Sequence, residues 1–480
     1  MRGRVLATAI AAIAIAGTGG SAAHANQVIE YEIPARGGEV AGGYNYAGPP
    51  RARAILPDGY DPKRSYPVLY VLHGFSCKYS CWTNPKGIAI DKHLPGLDAI
   101  VVMPEGGTGG WYTDAWNGGR RGNPAWESYF LDQVIPQTEA RFRIRPERRY
   151  HALAGSSMGG LGTAYLGGRL PGYFGSLVVM SGFVDTQIIP AVGFIQSLMA
   201  GGRPEDLYGP LDGPYATGHN PARLAGNLTR TRVLVSHGTG APQGGDTGTP
   251  GEGVTEGAFI QPMSLSYVAA LRRARVDVTH LSHPGYHDAA NDRRQMRDAL
   301  GWGLFQPVPE RPATWTNDTV AGRGKLWDLR YRFDSPPTRV ARFSRDGRRL
   351  QITAAGSPVT LTTDGGCVIR TATPGAVDIP ARPCARLTVR VRPRRLRTGR
   401  MTRVRIAVRP AASGVLVRSG RRRARTSSRG VAYLRVCART RRGVKVAAGA
   451  PNFLDAGVRV RARGRAASCR RAAVRKRRAK

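Results

Sequence analysis

Acidic residues are scarce. The 480-residue chain has 32 Asp and Glu against 72 Lys and Arg, a formal net charge of +40. The shortage is local: residues 387–480 hold 31 Lys and Arg and one acid, Asp455, a net of +30, which leaves +10 for residues 1–386. The surplus therefore belongs to the C-terminal part, where it favours polyanions. No nucleic-acid-binding motif or aromatic reading surface accompanies the arginines, so nucleic acid is not expected as a partner. Long apolar runs are missing as well. Past the first 25 residues no stretch could span a bilayer. Cysteine is limited to six residues, with no C-x-x-C pair and no histidine near the last four. That pattern argues against zinc, and no cofactor is expected.

The first 25 residues read as a secretory signal. Arg2 and Arg4 precede an apolar run over 5–16, and Ala23-His24-Ala25 has the form of a cleavage site. Export implies an oxidising compartment, outside the cell or at its envelope. There the cysteines are expected to pair in sequence: Cys77 with Cys81, Cys367 with Cys384, Cys437 with Cys469.

Buried strands are expected at 51–56, 68–72, 99–103, 150–154, 176–180, 231–236 and 276–281. Helices are expected at 126–142, from 158, and over 259–274 and 289–305. Strands that alternate with helices predict an α/β fold with a mostly parallel sheet covered on both faces. After about residue 310 the period changes to two. In 327–333, Leu329, Tyr331 and Phe333 face one way and the arginines the other, and Ser344-Arg-Asp-Gly347 suits a hairpin. The expected organisation is a signal over 1–25, an α/β unit over 26–310, a small all-β domain over 311–386, an Arg-rich immunoglobulin-like β-sandwich over 387–465 and a basic tail over 466–480.

Gly155-Ser156-Ser157-Met158-Gly159 fits the G-x-S-x-G nucleophile elbow, between an expected strand and an expected helix. A serine hydroxyl needs a base, an acid to orient the base, and N–H donors for the developing oxyanion. For the base, His287 in Gly285-Tyr286-His287 follows the last strand and precedes the last helix, with His283 as the second choice. His151 lies inside the elbow strand and reads as packed core. For the acid, Asp246 in a Gly-rich loop and Glu256 at the next helix start are both possible on position alone.

Residues 51–305 resemble the esterase family that includes the secreted antigen 85 mycolyltransferases and the S-formylglutathione hydrolases. The resemblance rests on Met103-Pro104 with Gly106-Gly107, Tyr112-Thr113-Asp114, Trp126-Glu127, the Ser157-Met158 elbow, Gly238-Thr239-Gly240, Gly244-Gly245-Asp246 and Glu256-Gly257. It implies an α/β-hydrolase fold with Ser157, Glu256 and His287 as catalytic residues. It also implies the backbone N–H groups of Phe75 and Met158 as oxyanion donors. His73-Gly74 stands where the mycolyltransferases have Asp-Gly, and Asp288-Ala-Ala-Asn291 stands where tryptophans usually follow the histidine. His73, Trp82, Tyr112, Asp114 and Trp116 are candidates for the substrate cleft. The expected substrate is an ester, acyl-lipid or acyl-sugar, with hydrolysis or transfer to a sugar or glycerol hydroxyl, and the Arg-rich end would hold anionic envelope polymers. The rival reading is a non-catalytic envelope-binding protein built on a hydrolase-like scaffold.

Overall fold

The computed structural model describes residues 27–35, 49–94, 96–118, 125–381, 383–450, 453–454 and 456–469. The expected signal segment and most of the basic tail lie outside the described residues.

Eight strands form the main sheet: β1 (Gln27–Glu32), β2 (Arg51–Leu56), β3 (Val68–Leu72), β4 (Ile100–Pro104), β5 (His151–Ser156), β6 (Ser176–Met180), β7 (Arg232–Gly238) and β8 (Asp277–His283). Their order is β1-β2-β4-β3-β5-β6-β7-β8. The run from β4 to β8 is parallel, and β1 and β2 add antiparallel edges. β3, β5 and β6 are buried throughout. Strands covered on both faces read as continuous apolar runs, which is why they stand out in the sequence. Alternate residues serve opposite cores: Tyr70, Leu72, Leu153 and Val179 belong to one, Leu69, Val71, Ala152 and Val178 to the other. Helices α1 (Met158–Arg169) and α2 (Gln261–Arg273) pack on the first face, and α3 (Ala289–Trp302) packs on the second.

β3 sends the chain to β4 on one side and neighbours β5 on the other. The strand order therefore reverses at β3, and a crevice opens beyond the carboxyl ends of β3 and β5. The chain leaves those ends as His73-Gly74-Phe75 and as Ser157.

Prolines shape two of the helices. The stretch expected as one helix over 126–142 runs as Trp126–Tyr129, a π-helical turn Phe130–Val134, then Ile135–Arg141, with Pro136 in the first turn of the last piece. A second π-helical turn, Thr255–Ile260, precedes α2, where Pro262 holds the same place. Proline has no N–H and its ring clashes with the carbonyl four residues back, so the ladder before it widens. The edge strand β1 and the helices Pro190–Met199, Pro214–Thr217 and Pro250–Val254 are among the elements with no counterpart in the sequence reading.

Downstream, two four-stranded antiparallel sheets enclose a core that includes Trp315, Leu329, Tyr331, Phe333 and Phe343. Leu329–Phe333 alternates buried and exposed as its sequence requires, and Asp346 pairs with Arg349 around the expected hairpin. A three-stranded and a five-stranded sheet then share another core, with Val404, Ile406, Val417, Val446 and Val460. The three disulfides are Cys77–Cys81, Cys367–Cys384 and Cys437–Cys469, the sequential pairing.

Arg169, at the end of α1, ties the first part to the second. Its Nε lies 2.6 Å from Glu127 Oε1, and its other nitrogens donate to Tyr331 Oη (3.1 Å) and the Arg323 carbonyl (3.2 Å). Burial pushes the Glu127 carboxyl up, but Arg169 and His219 outweigh it and hold it at about 2. Its folded value is depressed, so the contribution to stability is complete above the ordinary carboxylate range and is lost as pH falls through about 2. Arg169→Met should leave Glu127 buried without its cation and cost about 3–5 kcal/mol at pH 7. Equilibrium urea unfolding would measure this, and a change below about 1 kcal/mol would show that the pair carries no such weight.

Candidate active site

The elbow forms because two glycines let backbones touch. A Cβ on Gly155 would lie 2.4 Å from the Gly159 carbonyl oxygen, and one on Gly159 would lie 2.3 Å from the Leu72 carbonyl oxygen. Between them Ser157 takes φ 61° and ψ −119°, a conformation that costs an L-residue energy. Its own N–H donates to the Met180 carbonyl at 3.0 Å, which helps hold the turn. α1 begins at the next residue, so its N-terminal partial positive charge is aimed at the serine.

Ser157 Oγ lies 2.9 Å from His287 Nε2, and His287 Nδ1 lies 2.7 Å from Glu256 Oε2. Glu256 is fully buried. Its other oxygen accepts from Ser181 Oγ at 2.7 Å and from the Gly238 N–H at 2.6 Å. Every neighbour donates to this carboxylate, so Nδ1 of the imidazole carries a proton toward it and the Nε2 lone pair faces the serine hydroxyl. Burial pushes the imidazole down, but the hydrogen bond and charge of Glu256 outweigh it, and His287 is raised overall. The side chain of His287 is 20% exposed, so the row opens to solvent at the base.

Of the two candidate acids, Glu256 is the one that meets the histidine. Asp246 turns back on its own loop and accepts from the Gln243 N–H at 2.6 Å. His283 is likewise occupied locally, with Nδ1 3.1 Å from the Pro284 carbonyl.

The loop after β3 comes against the serine from the other side. A Cβ on Gly74 would lie 3.4 Å from Ser157 Cβ. Among the described residues, neither the Phe75 nor the Met158 backbone N–H has a protein acceptor. The Ser76 N–H donates to the Thr108 carbonyl at 2.8 Å, and the Cys77–Cys81 disulfide closes the next turn.

Three of the five residues expected to line a substrate cleft are buried supports instead. His73 has no exposed side-chain surface. Its Nδ1 lies 2.9 Å from the Gly74 carbonyl, and its Nε2 accepts from the Gly106 N–H at 2.9 Å. Trp82 is 1% exposed and donates to the Leu72 carbonyl. Tyr112, also 1% exposed, donates to the His73 carbonyl. All three fasten the backbone behind the loop. Asp114 accepts from the Ser128 N–H and hydroxyl, and burial, with Glu127 nearby, pushes it up to about 6. Trp116 is the exposed member, with its ring against Gly209.

A row of other aromatic rings runs from the loop after β3 to His287. Phe75 stacks on Trp111 at 6.4 Å, Trp111 meets Phe183 edge-on at 5.7 Å, and Phe183 lies 6.4 Å from the His287 ring. Ser181 and Phe183 follow β6 directly, so their position after a buried strand is the available signal.

Gly159→Ala should prevent the elbow from closing, because the added methyl meets the backbone of Leu72 rather than a side chain that can swing away. Destabilisation of about 3 kcal/mol or more is expected by urea unfolding, against less than about 1 kcal/mol for Gly226→Ala, where the added methyl meets nothing within 4 Å.

Residues 47–289, just over half of the chain, match the esterase family described as "Putative esterase". Esterase Rv1288 of Mycobacterium tuberculosis is 36% identical over 137 residues, 28% of this chain and 29% of that protein. An endo-1,4-beta-xylanase/feruloyl esterase of Xylanibacter ruminicola is 29% identical over 141 residues, 27% of this chain and 19% of that protein. The chain thus spans less than a third of the length of these curated relatives. Two solved structures are similar at lower identity. MPT51 of Mycobacterium tuberculosis matches at 19% identity and a TM-score of 0.47, covering 58% of this chain and 99% of that one. An S-formylglutathione hydrolase of Agrobacterium tumefaciens matches at 16% and 0.45, covering 60% and 98%. The family match covers more than half of the chain and takes in Ser157, Glu256 and His287, so the chain belongs to this esterase family.

Proposed function

We propose that the protein is a serine carboxylic-ester hydrolase that works through an acyl-enzyme. The hydrogen-bonded row Ser157–His287–Glu256 carries this reading. His287 Nε2 takes the hydroxyl proton as Ser157 Oγ attacks the ester carbonyl carbon. The negative charge that forms on the carbonyl oxygen is held by the Phe75 and Met158 N–H groups and by the start of α1. Glu256 stabilises the imidazolium. The imidazolium passes its proton to the departing alkoxide, and the alcohol leaves. Water, or a sugar or glycerol hydroxyl, then gives a proton to His287 and attacks the acyl carbon, and as the bond to Oγ breaks the imidazolium returns that proton to Ser157.

Half-buried Phe75 and Phe183, with the buried Trp111 ring packed between them, support an apolar acyl group next to the reacting carbon. The three disulfides support an oxidising compartment, and together with the signal expected over residues 1–25 they support action on esters of the cell envelope. The two separate β cores support domain divisions near residues 310 and 386, and the three- and five-stranded sheets around one core support an immunoglobulin-like reading of 387–465.

A second role at the C-terminal end rests on a groove of about 730 Å³ lined by Arg395, Arg441, Arg442, Arg459, Arg461 and Arg463. Arg395 stands directly opposite Arg461 on paired strands, and Arg397 opposite Arg463. Like charges in such positions repel. Among the described residues, none of these arginines has an ion pair; the last pairs along the chain, Arg349–Asp378 and Arg370–Asp334, lie outside the groove. The groove suits an anionic envelope polymer.

Ser157→Ala should lower p-nitrophenyl butyrate turnover by at least about 10³-fold, and Glu256→Gln by roughly 10³–10⁴-fold. Equal slow turnover by wild type and Ser157→Ala would leave the non-catalytic envelope-binding reading in place. Because His287 is raised, kcat/KM should increase with pH through a midpoint above the ordinary imidazole value of about 6.5. Replacing Arg459, Arg461 and Arg463 with Gln in the full chain should lower the salt needed to elute the protein from isolated cell walls, and unchanged retention would remove the groove from the account.

A further inference from the structure

α3 sends two polar side chains beneath the Ser157–His287–Glu256 row. Asp292 and Gln295 are three residues apart and share a helix face. Gln295 Nε2 donates to Ser181 Oγ at 2.8 Å, and Ser181 donates its own proton to Glu256. Asp292 Oδ1 accepts from Ser156 Oγ at 2.5 Å, on the residue just before the proposed nucleophile.

The Gln295 contact has an evident purpose, since it fixes the rotamer of a donor to Glu256. Asp292 is harder to explain as a fastener. A neutral amide could accept from Ser156 equally well. A carboxylate here feels Glu256 and Asp288, both of the same sign, and among the described residues the cation facing it is the one His287 becomes. Burial, with those two acids, pushes the Asp292 carboxyl up to about 6, while Ser156 and His287 oppose the rise. Two negative groups are tolerated under one imidazole when they serve the same positive charge.

We infer that Asp292 is a positioning residue for the base: held by Ser156, its carboxylate joins Glu256 in stabilising the protonated form of His287. This rests on the esterase reading. Ionised Asp292 raises His287, so removing its charge should lower it. The support is present above about pH 6 and fades below, as the carboxyl takes up its own proton. The groups near it are Ser156 from the end of β5, His287 from the loop before α3, Glu256 from the π-helical turn, and Asp288 at the start of its own helix; His287 also feels Glu252 from the short helix before that turn.

The test is the pH profile of kcat/KM for wild type, Asp292→Asn and Ser156→Ala with p-nitrophenyl butyrate. It is paired with the titration of the His287 ring followed by NMR in histidine-labelled protein. Asp292→Asn should move the acid limb and the ring titration to lower pH by about 0.5 to 1, with plateau activity reduced about 3- to 10-fold. Ser156→Ala keeps the carboxyl and should move the limb less. If the ring titration in folded Asp292→Asn coincides with wild type to within about 0.2, the inference is overturned, and a loss of activity common to both variants would then mark the contact as a fastener. The ring titration can be read whether or not the protein turns over ester. Absent turnover that depends on Ser157 would therefore sink the esterase reading, and an unmoved ring would sink this one.

Discussion

The whole arrangement depends on backbone meeting backbone at the ends of two neighbouring strands. Gly155 and Gly159 let the chain after β5 fold back until it touches the Leu72 carbonyl of β3. That contact sets three things at once: where the serine stands, where the helix behind it points, and how near the Gly74–Phe75 loop comes. None of these is adjustable by a side-chain rotamer. The residues behind the loop follow the same rule. His73, Trp82 and Tyr112 spend their polar atoms on backbone groups of the loop and of β3. They fix the backbone of the loop independently of the loop's own side chains.

The charge in the site is organised in the same way, from backbone geometry outward. Pro262 widens the turn that carries Glu256, and the carboxylate that results accepts from Gly238, Ser181 and His287. A buried carboxylate without these donors would take up a proton and cease to be useful. Ser181 is itself held by Gln295, and Ser156 by nothing more than Asp292 among the described side-chain contacts. The helix that follows the histidine thus reaches back under both ends of the row. One consequence is that His287, Glu256 and Ser156 are all tied to a single element, α3, although the sequence separates Ser157 from His287 by 130 residues.

Much of this is legible in the residues themselves. Parallel strands announce themselves as apolar runs, the elbow has a pattern, and His287 sits where a base follows the last strand. Position alone does not decide between Asp246 and Glu256, because both lie in the long connection after β7 and the difference is only which way the chain turns; the family resemblance points to Glu256. Three of the cleft candidates, His73, Trp82 and Tyr112, are buried for another reason. Aromatics and a histidine near a glycine-rich loop look like a binding wall, yet the same residues are the best fillers for the space under a loop that carries few side chains. Phe75, Trp111 and Phe183, which do stand near the base, are no more conspicuous in the sequence than Trp82 or Tyr112. The edge strand β1 escapes a sequence reading because its inward residues are few, with Tyr31 its single buried side chain.

The two ends of the molecule use charge in opposite ways. In the first part acids are consumed internally: Glu127 by Arg169, Glu105 by backbone N–H groups beside His73, Glu256 by His287. Each has a local partner, and the net charge there stays small for the number of residues. Past residue 386 the alternation of arginine with valine and leucine is enough to build sheets, since every second residue needs only to be polar. Nothing in that rule requires arginine over threonine or glutamate. With a lone acid in the last 94 residues, the arginines can be neutralised only by something from outside this region. Simple counter-ions would suffice for scattered charges. Six guanidinium groups line one groove, and two of them, on Arg395 and Arg461, stand in direct opposition across a strand pair, so the shortage of acids is concentrated there rather than averaged over the sheets.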